Sequence, residues 1–191
     1  MPSVLSHPAP MLCIGLALGR TRVPPRLLLA GLACSLLPDL DVIGFKFGVS
    51  YADILGHRGF SHSLLFALLT GLLAAWAAPL LRCARRAAFL FCGGAVLLHI
   101  MLDALTNGGL GVALFWPLSE TRWFFPWQPI EVSPFSLRRF LSRRGMEILY
   151  SEFIWVWLPS FGAALLAWAF VRHKNSRPGL LAQKRGGRRA G

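Results

Sequence analysis

The chain has 191 residues, of which 55% are hydrophobic and 15% charged, and its mean hydropathy is +0.55. That balance excludes an ordinary soluble domain and a pair of large unrelated domains, and it predicts an all-α helical membrane protein. Twenty Lys and Arg against eight Asp and Glu give a net charge of +12, which in so apolar a chain reads first as topology signal and only then as attraction to nucleic acid or an anionic surface.

From the N-terminus, no Lys or Arg precedes Arg20, so the basic n-region of a cleavable signal peptide is missing and the mature chain is expected to start near Met1. Two short apolar runs follow, Met11–Gly19 and Leu27–Leu37, each roughly half to two thirds of a bilayer crossing. Arg20, Arg22 and Arg26 lie in the turn between them. Gly44–Gly59 reads as a loop. Leu64–Leu81 and Ala87–Leu105 are long enough to span, at 1.5 Å per residue against a hydrocarbon core of roughly 30 Å, and a turn with Arg82, Arg85 and Arg86 joins them. Asn107–Pro134 reads as a second loop, whose Trp116, Trp123 and Trp127 suit the headgroup zone. Phe153–Val171 is the third span, bent at Pro159. The expectation is about five helices in one membrane-embedded domain over residues 1–171, followed by a basic disordered tail over 172–191. Cys13, Cys34, Cys83 and Cys92 lack paired spacing and read as small core residues.

The polar chemistry gathers at the ends of the two hairpins opposite their basic turns. By the positive-inside rule the turns and tail would be cytoplasmic and the His/Asp end would face outward, a topology that leaves Arg138, Arg139, Arg143 and Arg144 on the outer side. Ionisable residues at membrane depth cost at least about 2.5–3.5 kcal/mol and mark sites or paired partners. His99 and Asp103 are spaced i,i+4, so both can face one metal, with Thr106 on nearly the same face; a buried pair bracing two helices is the alternative. In Gly56-His57-Arg58-Gly59-Phe60-Ser61-His62-Ser63, His57 belongs to a turn and His62 to the first helical turn. Ser61 reads as N-cap, and Arg58 beside a helix N-terminus would favour an anion such as phosphate. An antiparallel hairpin brings His62 level with Asp103. In Pro38-Asp39-Leu40-Asp41, one carboxylate can bind metal while the other orients a histidine, or both can serve a turn. His7 has the weakest local signal.

Together His7, Asp39, Asp41, His57, His62, His99 and Asp103 form an N/O donor set without thiolate, suited to zinc first and otherwise manganese or iron, and large enough for more than one ion. The ordered motifs Ser6-His7, Leu37-Pro38-Asp39-Leu40-Asp41, the Gly-His-Arg-Gly string, His99-x-x-x-Asp103-x-x-Thr106 and Trp116-Pro117 resemble the YdjM-like family of bacterial membrane-bound metal-dependent hydrolases over roughly residues 5–125. The resemblance implies an all-helical inner-membrane protein and a hydrolase, with a more distant similarity to zinc-dependent phospholipase C. Ser61 stands where the family often has Thr.

The resulting expectation is phosphoester hydrolysis by a metal-activated water, with lipid as the natural substrate class. His7, Asp39, His57, His62, His99 and Asp103 are the metal ligands, Asp41 the catalytic carboxylate, and Arg58 the residue facing phosphate. A non-catalytic metal-binding scaffold or regulatory partner is the alternative, and a transporter is disfavoured because the polar groups do not line a path across the spans. Nucleic acid is the less favoured partner.

Overall fold

The computed structural model describes residues 1–134 and 136–175. Eight α-helices occur among them: α1 Ala9–Leu18, α2 Pro25–Cys34, α3 Leu64–Trp76, α4 Ala78–Leu81, α5 Arg85–Ala104, α6 Leu137–Phe140, α7 Arg143–Glu152 and α8 Leu158–Asn175. A 3-10 helix, Pro38–Phe47, follows α2, a 3-10 turn, Phe60–His62, precedes α3, and a π-helical segment, Phe153–Trp157, joins α7 to α8. The helical class is as predicted, with more and shorter helices.

Prolines set several of these limits. Pro24 and Pro25 start α2 where an N–H would be an orphan anyway. Pro79 stops the predicted Leu64–Leu81 helix: α3 ends at Trp76, and α4 restarts with Pro79 in its first turn. At thirteen residues α3 rises about 20 Å, short of the roughly 30 Å hydrocarbon core. Pro159 removes one main-chain donor near the start of α8, and the adjoining π-segment absorbs the mismatch, so α7 and α8 run on as one helix, Arg143–Lys174. That helix and α5 are long and apolar enough to cross a membrane; α2 with the 3-10 helix, bent by 45°, makes a third crossing if the pair counts as one.

The last helix differs from its expected limits at both ends. It begins at Arg143, because the polar α7 is its amphipathic lead-in, and Arg172, His173 and Lys174 are still helical. The rest of the predicted tail, 176–191, lies outside the described residues. The first loop also starts later than expected, since the 3-10 helix occupies residues up to Phe47.

α5 is the axis. In its apolar stretch 56% is buried inside the protein, against 11% for the α7–α8 helix, which leaves most of the latter's surface for lipid. α5 packs closely on α3 where two glycines meet: a Cβ on Gly93 would stand 3.3 Å from Gly71 Cα. Around α5 sit three apolar clusters: Leu27, Ala88 and Phe91 toward the basic turns, Ala67, Val96 and Ile100 in the middle, and Ala9, Leu102, Ile130 and Val156 beside the N-terminal segment. The predicted loop over 107–134 is pinned onto the helix ends by Leu64 N–H donating to Leu114 O (2.9 Å) and Phe125 N–H donating to Ala104 O (2.9 Å).

Candidate metal centre

Five segments deliver the site. His7 precedes α1, Asp39 and Asp41 lie in the 3-10 helix, His57 and Arg58 in the loop, His62 in the 3-10 turn, and His99 with Asp103 on the last turns of α5. The loop is shaped by close approach: a Cβ on Gly59 would stand 2.0 Å from Ile54 O, and Arg58 between the two glycines of the motif has φ 65, a left-handed conformation that costs a non-glycine residue about 1–2 kcal/mol. Such a conformation persists only where its surroundings hold it.

Those surroundings are visible. Arg58 is fully buried, and its Nε donates to Asp103 Oδ2 (2.9 Å), Nη1 to Gly108 O (2.8 Å) and Nη2 to Thr106 Oγ1 (2.8 Å). Expected to face a phosphate, it points into the protein instead. The predicted anion site at the α3 N-terminus is likewise taken: Ser63, not Ser61, is the N-cap, accepting from Phe66 N–H, and Leu64 N–H goes to Leu114 O. Ser61 turns to the aspartates, donating to Asp41 Oδ2 (2.7 Å).

Asp41 is saturated with donors. Its Oδ1 accepts from His57 Nδ1 (2.7 Å), and its Oδ2 accepts from Arg58 N–H (3.1 Å) as well as Ser61, with His62 Nδ1 at 3.2 Å. Asp39 is the opposite, since neither carboxylate oxygen has a hydrogen-bond partner although both are buried. The two residues point different ways because an offset of two on a helical turn sends them to different faces.

The ring nitrogens can be assigned from their partners. His99 Nδ1 lies 2.7 Å from Ser35 O, which can only accept, so Nδ1 carries the proton and Nε2 presents a lone pair. Ser61, donating to Asp41, accepts at 3.0 Å from His62 Nδ1–H, leaving His62 Nε2 in the same state. These two Nε2 atoms face each other at 3.1 Å. Two lone pairs at that distance repel unless a proton or a cation lies between them.

Further donors converge on the same point. His62 Nε2 is 3.2 Å from Asp103 Oδ2, His99 Nε2 is 3.6 Å from Asp39 Oδ1, and His7 Nε2 is 3.6 Å from Asp39 Oδ2 and 3.5 Å from Asp103 Oδ1. Atoms bonded at about 2.0–2.2 Å to one cation stand about 3.0–3.6 Å apart, along the edges of an octahedron or tetrahedron. Asp39, His62, His99 and Asp103 thus form one metal-competent group, with His7 at its edge, stacked on His99 with ring centroids 3.7 Å apart. Asp41, His57 and His62 form a second group of suitable spacing, but hydrogen bonds already occupy both oxygens of Asp41. All seven predicted ligand and catalytic carboxylate positions fall in this one region.

Burial lowers His7 to about 3 and also lowers His57, so both imidazoles are neutral at pH 7. Burial opposes charge on His62 too, but Asp103 and Asp41 outweigh it and raise that histidine to about 9. The Met1 amine lies 4.0 Å from Asp103 Oδ1 and is lowered by burial to about 6. Once a cation takes the place of the His62 proton, the three carboxylates (−3) and Arg58 (+1) leave −2, the complement of a divalent cation.

Two contributors escaped the sequence reading. Arg122 donates to the Arg58, His57, Ala52 and Asp53 carbonyls, stapling the motif loop. Glu152 is fully buried and accepts from Ser3 N–H, from Ser3 Oγ (2.6 Å) and from Ser6 Oγ (2.6 Å), while Trp157 Nε1 donates to Ser6 Oγ (3.1 Å). This ties the segment bearing His7 to the last helix. The only signal for Glu152 was a carboxylate just before an apolar span.

A family model described as YdjM inner membrane protein matches residues 1–176. Among curated proteins, Inner membrane protein YbcI of Escherichia coli (strain K12) is 46% identical over 174 residues, covering 88% of this chain and 98% of that one. No solved structure matches.

Proposed function

The chain belongs to the YdjM inner membrane protein family, and from that premise we propose that its buried His/Asp cluster is the centre of a membrane-bound metal-dependent hydrolase acting on a phosphoester. The observation that carries the metal reading is the pair of inward-facing Nε2 atoms, His62 and His99 at 3.1 Å, with the unpartnered oxygens of Asp39 and Asp103 around them. Asp39, His62, His99 and Asp103 would hold the cation, with His7 completing the set; zinc heads the candidates, then manganese or iron. When bound, such an ion lowers the pKa of a water and offsets phosphate charge.

The chain's own residues have separable parts. Ser35 and Ser61 fix the histidine tautomers, and Asp41 orients His57 and His62 from their far nitrogens. Arg58 holds one oxygen of Asp103, so the other stays turned to the centre. Asp39 is the least buried of the metal donors, at 8%, and neither of its oxygens is engaged by a hydrogen bond, which makes it the general base in this reading. The outward orientation of this end, opposite the basic turns, belongs to the same proposal.

The near-complete burial of His7, His62, His99 and Asp103 favours a second reading, a cation bound with no turnover. Elemental analysis of detergent-purified protein, with phosphodiester and phospholipid substrates assayed with and without chelator, separates the two. Metal with chelator-sensitive turnover is expected; metal without turnover on any substrate selects the second reading. Stoichiometric metal retained in both His99→Ala and Asp39→Asn would overturn the site.

A further inference from the structure

The end of the molecule opposite the metal centre carries its own unassigned feature. Arg20 and Arg22 lie in the turn between α1 and α2 and Arg26 in the first turn of α2, while Arg82 ends α4 and Arg85 and Arg86 open α5; all six are exposed. The turns are adjacent, since Arg26 Nη1 donates to Leu80 O (3.0 Å). No Asp or Glu occurs in residues 1–38 or 54–102, and among the described residues none of these arginines forms an ion pair.

From this cluster an apolar groove of about 460 Å³ runs between α1, α2 and α5. Arg22 lines it beside Leu18 and Ala87, next in sequence to Arg86; Met11 and Leu98 close its far end. Between Ala87 and Leu98 it extends about 16 Å along α5, at 1.5 Å per residue. Gly94 forms part of the wall, and a Cβ there would meet nothing within 4 Å, so the groove is open at its middle. A cationic rim on a long apolar channel at the surface of a membrane protein is complementary to one kind of molecule: an amphiphile with an anionic head and an acyl chain.

We propose that this groove binds an anionic glycerophospholipid, its phosphate on Arg22 with Arg85 and Arg86 nearby and one acyl chain along α5 past Gly94. Occupancy is independent of the metal centre, because no residue of the groove is a donor there. A lipid seated here would join α1, α2 and α5 at their arginine-bearing ends, where the two like-charged turns otherwise repel.

The test uses the full-length protein in neutral detergent, titrated with phosphatidylglycerol or phosphatidylcholine, with bound lipid counted by native mass spectrometry. Phosphatidylglycerol should be retained preferentially. Arg22→Gln should weaken it about fivefold, the worth of one basic residue at a lipid surface. Gly94→Leu should weaken it at least as much without lowering the unfolding midpoint in phosphatidylcholine, since leucine is the better helix former and fills only the groove. Soluble glycerol phosphate should compete poorly. Equal retention of the two lipids overturns the proposal, as does a phosphatidylglycerol preference untouched by Gly94→Leu, which would mean diffuse surface charge alone. If Gly94→Leu does not fold, Arg22→Gln on its exposed turn still decides, because unchanged affinity there sinks the headgroup contact.

Discussion

Two buried polar centres lie side by side in this protein and are built on opposite rules. Around Glu152, both carboxylate oxygens are met by Ser3 and Ser6, and Trp157 completes the knot. Around Asp39 and Asp103, carboxylate oxygens and the His7 ring nitrogens are buried without hydrogen-bond partners. A charge withdrawn from water is tolerable when neighbours supply donors, so the first centre is complete as protein. The second is complete only with something positive in it. Burial alone does not distinguish structure from site; what remains unsatisfied after the protein has made its bonds does.

Each part of that contrast can be broken experimentally. The largest effect is expected for Asp103→Ala, which removes a donor and strands the buried Arg58: loss of bound metal by elemental analysis, with a destabilisation of about 3–5 kcal/mol in thermal unfolding. Retained metal would remove Asp103 from the centre. Next comes pH. In chelator-treated protein His62 is raised from 6.5 to about 9, so its stabilising charge is fully present below pH 6.5 and is lost as pH rises through 9. That protein should lose about 3 kcal/mol over this window, and metal-loaded protein should not, because the cation replaces the proton. A pH response identical with and without chelator would separate His62 from metal binding.

Smaller effects probe the satisfied centre. Glu152→Ala should weaken metal affinity about tenfold, the lower range for a supporting partner, by releasing the segment that carries His7, while Glu152→Gln should restore most of it by keeping an acceptor. Competition with a chromogenic chelator measures both. If neither variant moves the affinity, the two centres are independent. Least, Ser61→Ala removes one hydrogen bond to Asp41 and one to His62 and should cost about 1 kcal/mol in thermal stability with metal retained.

The same contrast explains what could be read beforehand. The i,i+4 spacing of His99 and Asp103, and the level of His62 across the hairpin, follow from helix geometry, so that half of the centre was legible. The different destinations of Asp39 and Asp41 were also foreseeable, because an offset of two separates side chains on any helical turn. His7 was named only as a member of the ordered motif set, since a lone histidine near a terminus carries little local signal; what holds it in place, the Ser3 and Ser6 contacts to residue 152 far away in sequence, was not foreseeable. Arg58 was misread for a backbone reason: its left-handed φ turns the side chain inward, and spacing rules assume an ordinary conformation. The fold shows the same division. Apolar runs located the helices around α5, whereas the break at Ala77 and the start of the last helix at Arg143 depended on Pro79 and on an amphipathic segment too polar for a hydropathy reading.

The donors of the centre come from the N-terminal segment, the 3-10 helix, the turn before α3 and the end of α5, segments joined through long stretches of chain. A cation held by all four therefore acts as a cross-link, closing several loops at once and removing their freedom from the unfolded ensemble. Withdrawing it would do more than silence a reaction: the opening of the chain, held otherwise by Glu152, would be the first part free to leave, and susceptibility of that segment to proteolysis would report the occupancy of the centre.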